Sequence, residues 1–92
     1  MSESTQPHRF TDQYDFDADF RGETLTYIES GRRVSMMWTW SSDYRIYTDS
    51  IQSWINADGS QSPVSAEERA EIVQRAIKYG REVQHVTLKV EP

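Results

Sequence analysis

Asp15-Phe-Asp17-Ala-Asp19 places three carboxylates at alternate positions, the spacing with which a calcium-binding loop opens. Such a loop needs glycine at its sixth position for the sharp bend and glutamate at its twelfth, and Phe20 and Thr26 stand there instead. A strand with an acidic outer face accounts for the same spacing, because Tyr14, Phe16, Ala18 and Phe20 fill the alternate places. The chemistry expected of these aspartates is therefore electrostatic recognition, with no metal bound. His8 and His85 are the only histidines and share no zinc-ligand spacing. The chain has no cysteine, which excludes disulfides, thiolate catalysis and Cys-based zinc sites. No serine sits in a G-x-S-x-G elbow, and Gly22, Gly31, Gly59 and Gly80 each stand alone, so neither an activated nucleophile nor a phosphate cradle is signalled. The expectation is a non-enzymatic protein that needs no cofactor.

Charge is unevenly placed. Residues 1–30 hold seven acids (Glu3, Asp12, Asp15, Asp17, Asp19, Glu23, Glu29) against two bases, so the whole formal charge of -5 lies in the first third of the chain. Such a field repels nucleic acid, whose binding depends on a basic surface, and attracts a basic protein. Arg32 and Arg33 stand near Trp38 and Trp40, as in a surface that stacks single-stranded bases. Two tryptophans on one strand face, however, make the pattern of a core, and no nucleic-acid partner is expected. No apolar run reaches the roughly 20 residues of a membrane-spanning helix, and the first residues lack the basic and apolar regions of a signal peptide. The expected location is cytoplasmic, with no membrane association.

Ninety-two residues make one domain at most, with 36% hydrophobic residues to build a single small core. Residues 1–11 are polar and read as a disordered tail, which leaves a single α+β domain over 12–92. Tyr14 to Phe20 is the first strand, and Leu25–Glu29 the second. Glu29-Ser-Gly-Arg32 is a tight hairpin in which Gly31 supplies the positive φ. The third strand is the best patterned: Val34, Met36, Trp38 and Trp40 share one face, and Arg33, Ser35, Met37 and Thr39 the other. A fourth strand starts at Tyr44, antiparallel to the third, and ends near Trp54, although Asp49–Trp54 also suits a short helical turn. Asn56 to Pro63 reads as a polar loop turning at Asp58-Gly59.

Ser65 and Glu68 form a capping box, and Gly80 is placed to end the helix in the left-handed conformation, so the spacing predicts a helix over 66–79. Its apolar stripe is Ile72, Val73, Ala76, Ile77 and Tyr79, with Glu71 and Arg75 on the solvated side. A last strand over 83–90 turns Val86, Leu88 and Val90 inward. The order β-β-β-β-α-β implies an antiparallel sheet of four to five strands with one helix packed on one face. The other face is then left polar or free to dock a partner, with Met37 its lone large apolar member.

Tyr27-Ile-Glu-Ser-Gly-Arg-Arg-Val34, Ile46-Tyr-Thr-Asp-Ser-Ile51, Trp54 and Ser65-Ala-Glu-Glu-Arg69 with Ile72 resemble a small bacterial domain, the immunity protein 74 family of polymorphic toxin systems. The similarity spans about residues 25 to 90. The chain departs from the family pattern where Trp54-Ile-Asn-Ala-Asp58 carries no proline and where Val64 precedes the helix. The resemblance implies an antitoxin that binds its cognate toxin directly, with no catalytic residue of its own. An acidic small domain is suited to neutralising a basic toxin domain. The residues expected to meet that protein partner are Asp15, Asp17, Asp19 and Glu23 on the acidic segment, and Arg33 and Met37 on the polar sheet face. The alternative is a small structural or regulatory domain, with oligomeric state left open.

Overall fold

The computed structural model describes residue 11, residues 13–40 and residues 43–92. The expected tail of residues 1–11, with His8, lies outside the described residues except for Thr11. Thr11 is already part of the fold: its hydroxyl accepts hydrogen bonds from the backbone N–H of Gln13 (3.1 Å) and Tyr14 (2.9 Å) and so sets the entry into the first strand.

Strands β1 (Tyr14–Asp19), β2 (Thr24–Glu29) and β3 (Arg32–Thr39) form an antiparallel meander. The β2–β3 connection is two residues long, and Ser30 and Gly31 both take positive φ (53° and 78°). This is the turn whose twist matches that of the flanking strands. The pleat then fixes the faces. Tyr14, Phe16, Leu25, Tyr27, Val34, Met36 and Trp38 are buried on one side, and Asp17, Ile28, Arg33, Ser35 and Met37 are exposed on the other.

The far edge of β3 is shared by two short strands. β4 (Arg45–Tyr47) pairs with its C-terminal end, Trp38 facing Ile46. A single 3-10 turn over Thr48–Ser50 follows, and β5 (Ser53–Ile55) pairs lower down, with Arg33 opposite Ile55. The region that reads as strand or helical turn is thus both. Ser50 makes the interruption tolerable, because its hydroxyl accepts from the Met37 N–H at 2.8 Å and donates to the Tyr47 carbonyl. The polar stretch after β5 is a hairpin rather than an open loop. Gly59 takes a φ of 89°, Asn56 donates to Ser60 and Ser62, and β6 (Gln61–Pro63) returns against β5.

Helix α1 spans Ala66–Tyr79, as the spacing predicts, with both bonds of the capping box in place. It packs on the face that carries Val34, Met36 and Trp38, burying Ile72, Val73, Ala76 and Tyr79, with Ile77 partly buried against the same core. The end of the helix differs from expectation. Gly80 is right-handed (φ -59°, ψ -43°), the chain continues through a π-helical turn over Gly80–Gln84, and the left-handed residue that stops it is His85 (φ 62°). Gly80 is needed for a different reason: a Cβ there would lie 2.9 Å from Leu88 Cδ1.

The π turn displaces the last strand as well. Only Lys89–Glu91 forms a strand, β7, and it pairs with β4 in parallel. The expected inward trio is reduced: Leu88 is buried, Val86 is partly buried and Val90 is exposed. The fold class is α+β, one helix on one face of a sheet. The sheet is mixed, running β1-β2-β3-β4-β7 with β5 and β6 attached beside β3. The long passage through β5, β6 and α1 acts as the crossover that a parallel pair requires.

Candidate functional site

The face turned away from α1 is crossed by three rows of side chains. Asp15, Ile28, Arg33 and Ile55 lie side by side across β1, β2, β3 and β5. Asp17, Thr26 and Ser35 form the next row, and Asp19, Thr24 and Met37 the third. The acidic segment and the polar face around Arg33 and Met37, separate surfaces when read along the chain, are therefore one surface. The β2 strand between them supplies the join.

The six sequence-predicted residues do not all play the same part. Asp17 is exposed on edge strand β1, and Asp15 is half-buried, its Oδ1 accepting from the Phe16 N–H at 2.8 Å. Charges along an edge strand also discourage edge-to-edge pairing with another sheet. Asp19 is structural in part: its Oδ1 accepts from the Gly22 N–H at 2.9 Å and closes the β1–β2 turn. Glu23 belongs to that same turn, held at a φ of 53° with its carbonyl accepting from the Trp38 N–H at 3.1 Å, and its exposed side chain lies at the rim of the face rather than on it. Arg33 is exposed and, among the described residues, has no ion-pair partner. Met37 is 59% exposed, the most open large apolar side chain described.

Two apolar residues of this face were not among the expected ones. Ile28 and Ile55, 36% and 37% exposed, flank Arg33 on either side. Both were legible from alternation, since each follows a buried aromatic, Tyr27 and Trp54, by one position. With Gly31, Asn56, Ala57 and Gly59 they line a shallow groove of about 390 Å³ whose polar wall is Arg32 and Arg33. A second hollow of about 540 Å³ lies between Met37, Tyr47, Ser50 and Pro92. Thr26 and Ser35 join the two across the middle of the face through a hydroxyl–hydroxyl bond of 3.0 Å.

Polar contacts on the opposite side tie this sheet to α1. Arg75, which helical spacing assigns to solvent, keeps its Glu71 partner at 3.0 Å but also reaches back to the sheet. Its guanidinium donates to the Tyr27 hydroxyl, lies 3.9 Å from Glu29 and sits over the Tyr14 ring at 4.4 Å. Tyr27 in turn donates to Glu29 at 3.0 Å. Burial pushes the Tyr27 phenol up to about 12, the Arg75 bond opposing and Glu29 adding to the rise.

At the other end of the helix, Glu68 accepts from the Ser65 N–H at 2.9 Å and from the Trp54 indole at 3.2 Å, and pairs with Arg32 at 3.3 Å. The Ser65 backbone bond, the Trp54 bond and the Arg32 charge together hold its carboxyl below the usual range. The Arg32 guanidinium also stacks on Trp54 at 3.8 Å and is thereby engaged, while that of its neighbour Arg33 has no ion-pair partner among the described residues.

The arrangement sets charged, hydroxyl and apolar side chains next to one another on one sheet face. Among the described residues no three His, Cys, Asp or Glu side chains converge as metal ligands, and no helix is long and apolar enough to cross a membrane. Comparison with protein-family models, with curated proteins and with solved structures returns no match.

Proposed function

We propose that the chain is a non-enzymatic protein-binding module, an immunity protein that neutralises a cognate bacterial toxin by seating it on the sheet face turned away from α1. One observation carries this reading: the face joins carboxylates (Asp15, Asp17), a cation without an ion-pair partner among the described residues (Arg33) and exposed apolar side chains (Ile28, Met37, Ile55) on one sheet. That mixture is what protein interfaces use, with apolar contacts for affinity and charges for orientation and rate. The cytoplasm, where such an antitoxin meets its toxin, is the proposed location.

The partner argued for is a basic toxin domain, because the net charge of -5 resides in residues 1–30 and three of its carboxylates, Asp15, Asp17 and Asp19, lie on this face. The test is to identify whether a neighbouring gene encodes a toxin domain, to co-express the chain with that product, and to follow with binding kinetics. Rescue of growth is expected. An Asp15→Asn, Asp17→Asn variant should associate several-fold more slowly at low salt, and the difference should fade above roughly 0.15 M, where screening takes over. Wild-type association by that variant at low salt would move the interface elsewhere, and failure to rescue growth would remove the toxin from the reading.

A further inference from the structure

We infer that Asp58-Gly59, at the tip of the β5–β6 hairpin, is a latent backbone-modification site where aspartate converts to isoaspartate, and that Ser60 holds this reaction back. Asp58 is the only aspartate in the chain followed by glycine, and Asn56, the only asparagine, precedes Ala57. Glycine on the C-terminal side leaves the reacting amide without a side chain to crowd it. A Cβ built at Gly59 would meet nothing within 4 Å, and residues 57–60 are all exposed, so no packing shields this peptide.

The conversion needs no enzyme, oxidant or cofactor. The Gly59 nitrogen attacks the side-chain carboxyl carbon of Asp58, a C–N bond forms, and one water leaves, made from the carboxyl hydroxyl and the amide proton. The product is a five-membered succinimide. Water then adds back at either ring carbonyl. Opening at the side-chain carbonyl restores aspartate, whereas opening at the main-chain carbonyl leaves the chain running through the Asp58 Cβ, one carbon longer, with the former main-chain carbonyl as the free carboxylate.

The fold ties up both reactants. Asp58 Oδ1 accepts from the Ser60 N–H at 2.9 Å and from the Ser60 hydroxyl at 2.6 Å, and the Gly59 N–H donates to the Asn56 carbonyl at 2.9 Å. The Asn56 amide holds the Ser60 oxygen in turn, at 3.1 Å. The two Ser60 bonds keep the Asp58 carboxyl below its usual range, and the ionised form is the poorer electrophile. Both sets of bonds must open before the ring can close. A hairpin tip without packing opens locally at low cost, so the site is slowed rather than blocked. Asn56, Ala57 and Gly59 line the groove beside Arg33, so a lengthened turn reshapes one wall of it. The inference goes beyond the antitoxin reading and does not rest on it.

The full chain is incubated for several weeks at about pH 6, folded and in concentrated urea, so that a small fraction of carboxyls is protonated. Isoaspartate is counted by methylation with an isoaspartyl methyltransferase and located by fragmenting the tryptic peptide from Ile46 to Arg69. Conversion should map to Asp58 and run at least about tenfold faster in urea than in the fold. Folded Ser60→Ala should convert at least about threefold faster than folded wild type, and Ser60→Thr, which keeps the hydroxyl, should match wild type. All three should agree in urea, where the bonds are gone. Asp58→Glu, whose longer side chain cannot close the five-membered ring, should abolish the signal. No conversion at Asp58 in urea, equal rates in urea and in the fold, or equal folded rates for Ser60→Ala and wild type would overturn the inference. If circular dichroism shows Ser60→Ala unfolded, the wild-type comparison of urea with fold still decides. Rescue of growth is read separately from these rates, so either reading can fail without the other.

Discussion

Tyr27 shows how much a single hydroxyl can organise. It lies fully buried under the helix, accepts from Arg75 and donates to Glu29, and so connects α1 to β2 through a polar contact set in an apolar surround. Ionising it would put a second negative charge beside Glu29 without water to solvate it, which is why its folded pKa rises from 10.0 to about 12. An acid raised on folding stabilises the fold while it stays protonated. That stability is complete below the unfolded value of 10.0 and is lost as pH climbs to about 12. The two-unit interval corresponds to roughly 2 to 3 kcal/mol. Urea unfolding at pH 8, 10 and 12 should show this loss in the wild type. Tyr27→Phe should be about 1 kcal/mol less stable at pH 8, where Arg75 has lost an acceptor, yet fall less steeply above pH 10. Parallel losses in the two proteins would remove the role assigned to the phenol.

The end of α1 illustrates a decision made between elements. Gly80 has helical dihedrals, and alanine there would ordinarily favour the helix by about 1 kcal/mol. Its missing Cβ instead accommodates buried Leu88, which returns across the end of the helix on its way to β7. Gly80→Ala should therefore destabilise the domain by about 1 to 2 kcal/mol, the overpacking exceeding the gain in propensity. In a Leu88→Ala background the same substitution should become neutral or stabilising, because the side chain it strikes is gone. A double-mutant cycle by thermal unfolding measures this directly. Equal effects in both backgrounds would mean that the close approach is not the reason for glycine.

Across the whole molecule one core holds everything, and Trp38 stands near its centre at 1% exposure. It rests against Phe20 and Trp40, at 5.4 and 4.8 Å between ring centroids, and its strand partner is Ile46. Truncation to alanine should cost about 3 to 5 kcal/mol, a large share of what so short a chain has to lose. Each kcal/mol moves the melting temperature of a domain this size by about 4 to 8 °C, so a Trp38→Ala variant should melt at least about 12 °C lower, if it folds at all. An unchanged melting temperature would mean that the helix and the β3 stripe are not the two halves of one core.

The sequence by itself determined whatever depends on neighbours a few residues apart. Alternation marked the inward side chains of β1 and β3, except that Phe20, beyond the end of β1, is exposed and Trp40, beyond β3, only partly buried; the Ser30-Gly31 turn set the register of β2 on β3, and the capping box with its apolar stripe placed the helix at 66–79. These signals are local because the pleat, the two-residue turn and the first helical turn are each closed by contacts within the segment. Tertiary structure decided what depends on residues distant in the chain. Gly80 reads as a left-handed helix stop until Leu88 is seen against it, and the parallel pairing of β7 with β4 follows from where the π turn releases the chain. Arg75 reads as solvated until Tyr27, 48 residues earlier, is brought beneath it. The candidate site divides in the same way. Its carboxylates, its arginine and its methionine were each legible one by one, but only strand pairing laid Asp15, Ile28, Arg33 and Ile55 side by side, because the order of residues across a sheet is set by hydrogen bonds between strands and is written nowhere along any one of them.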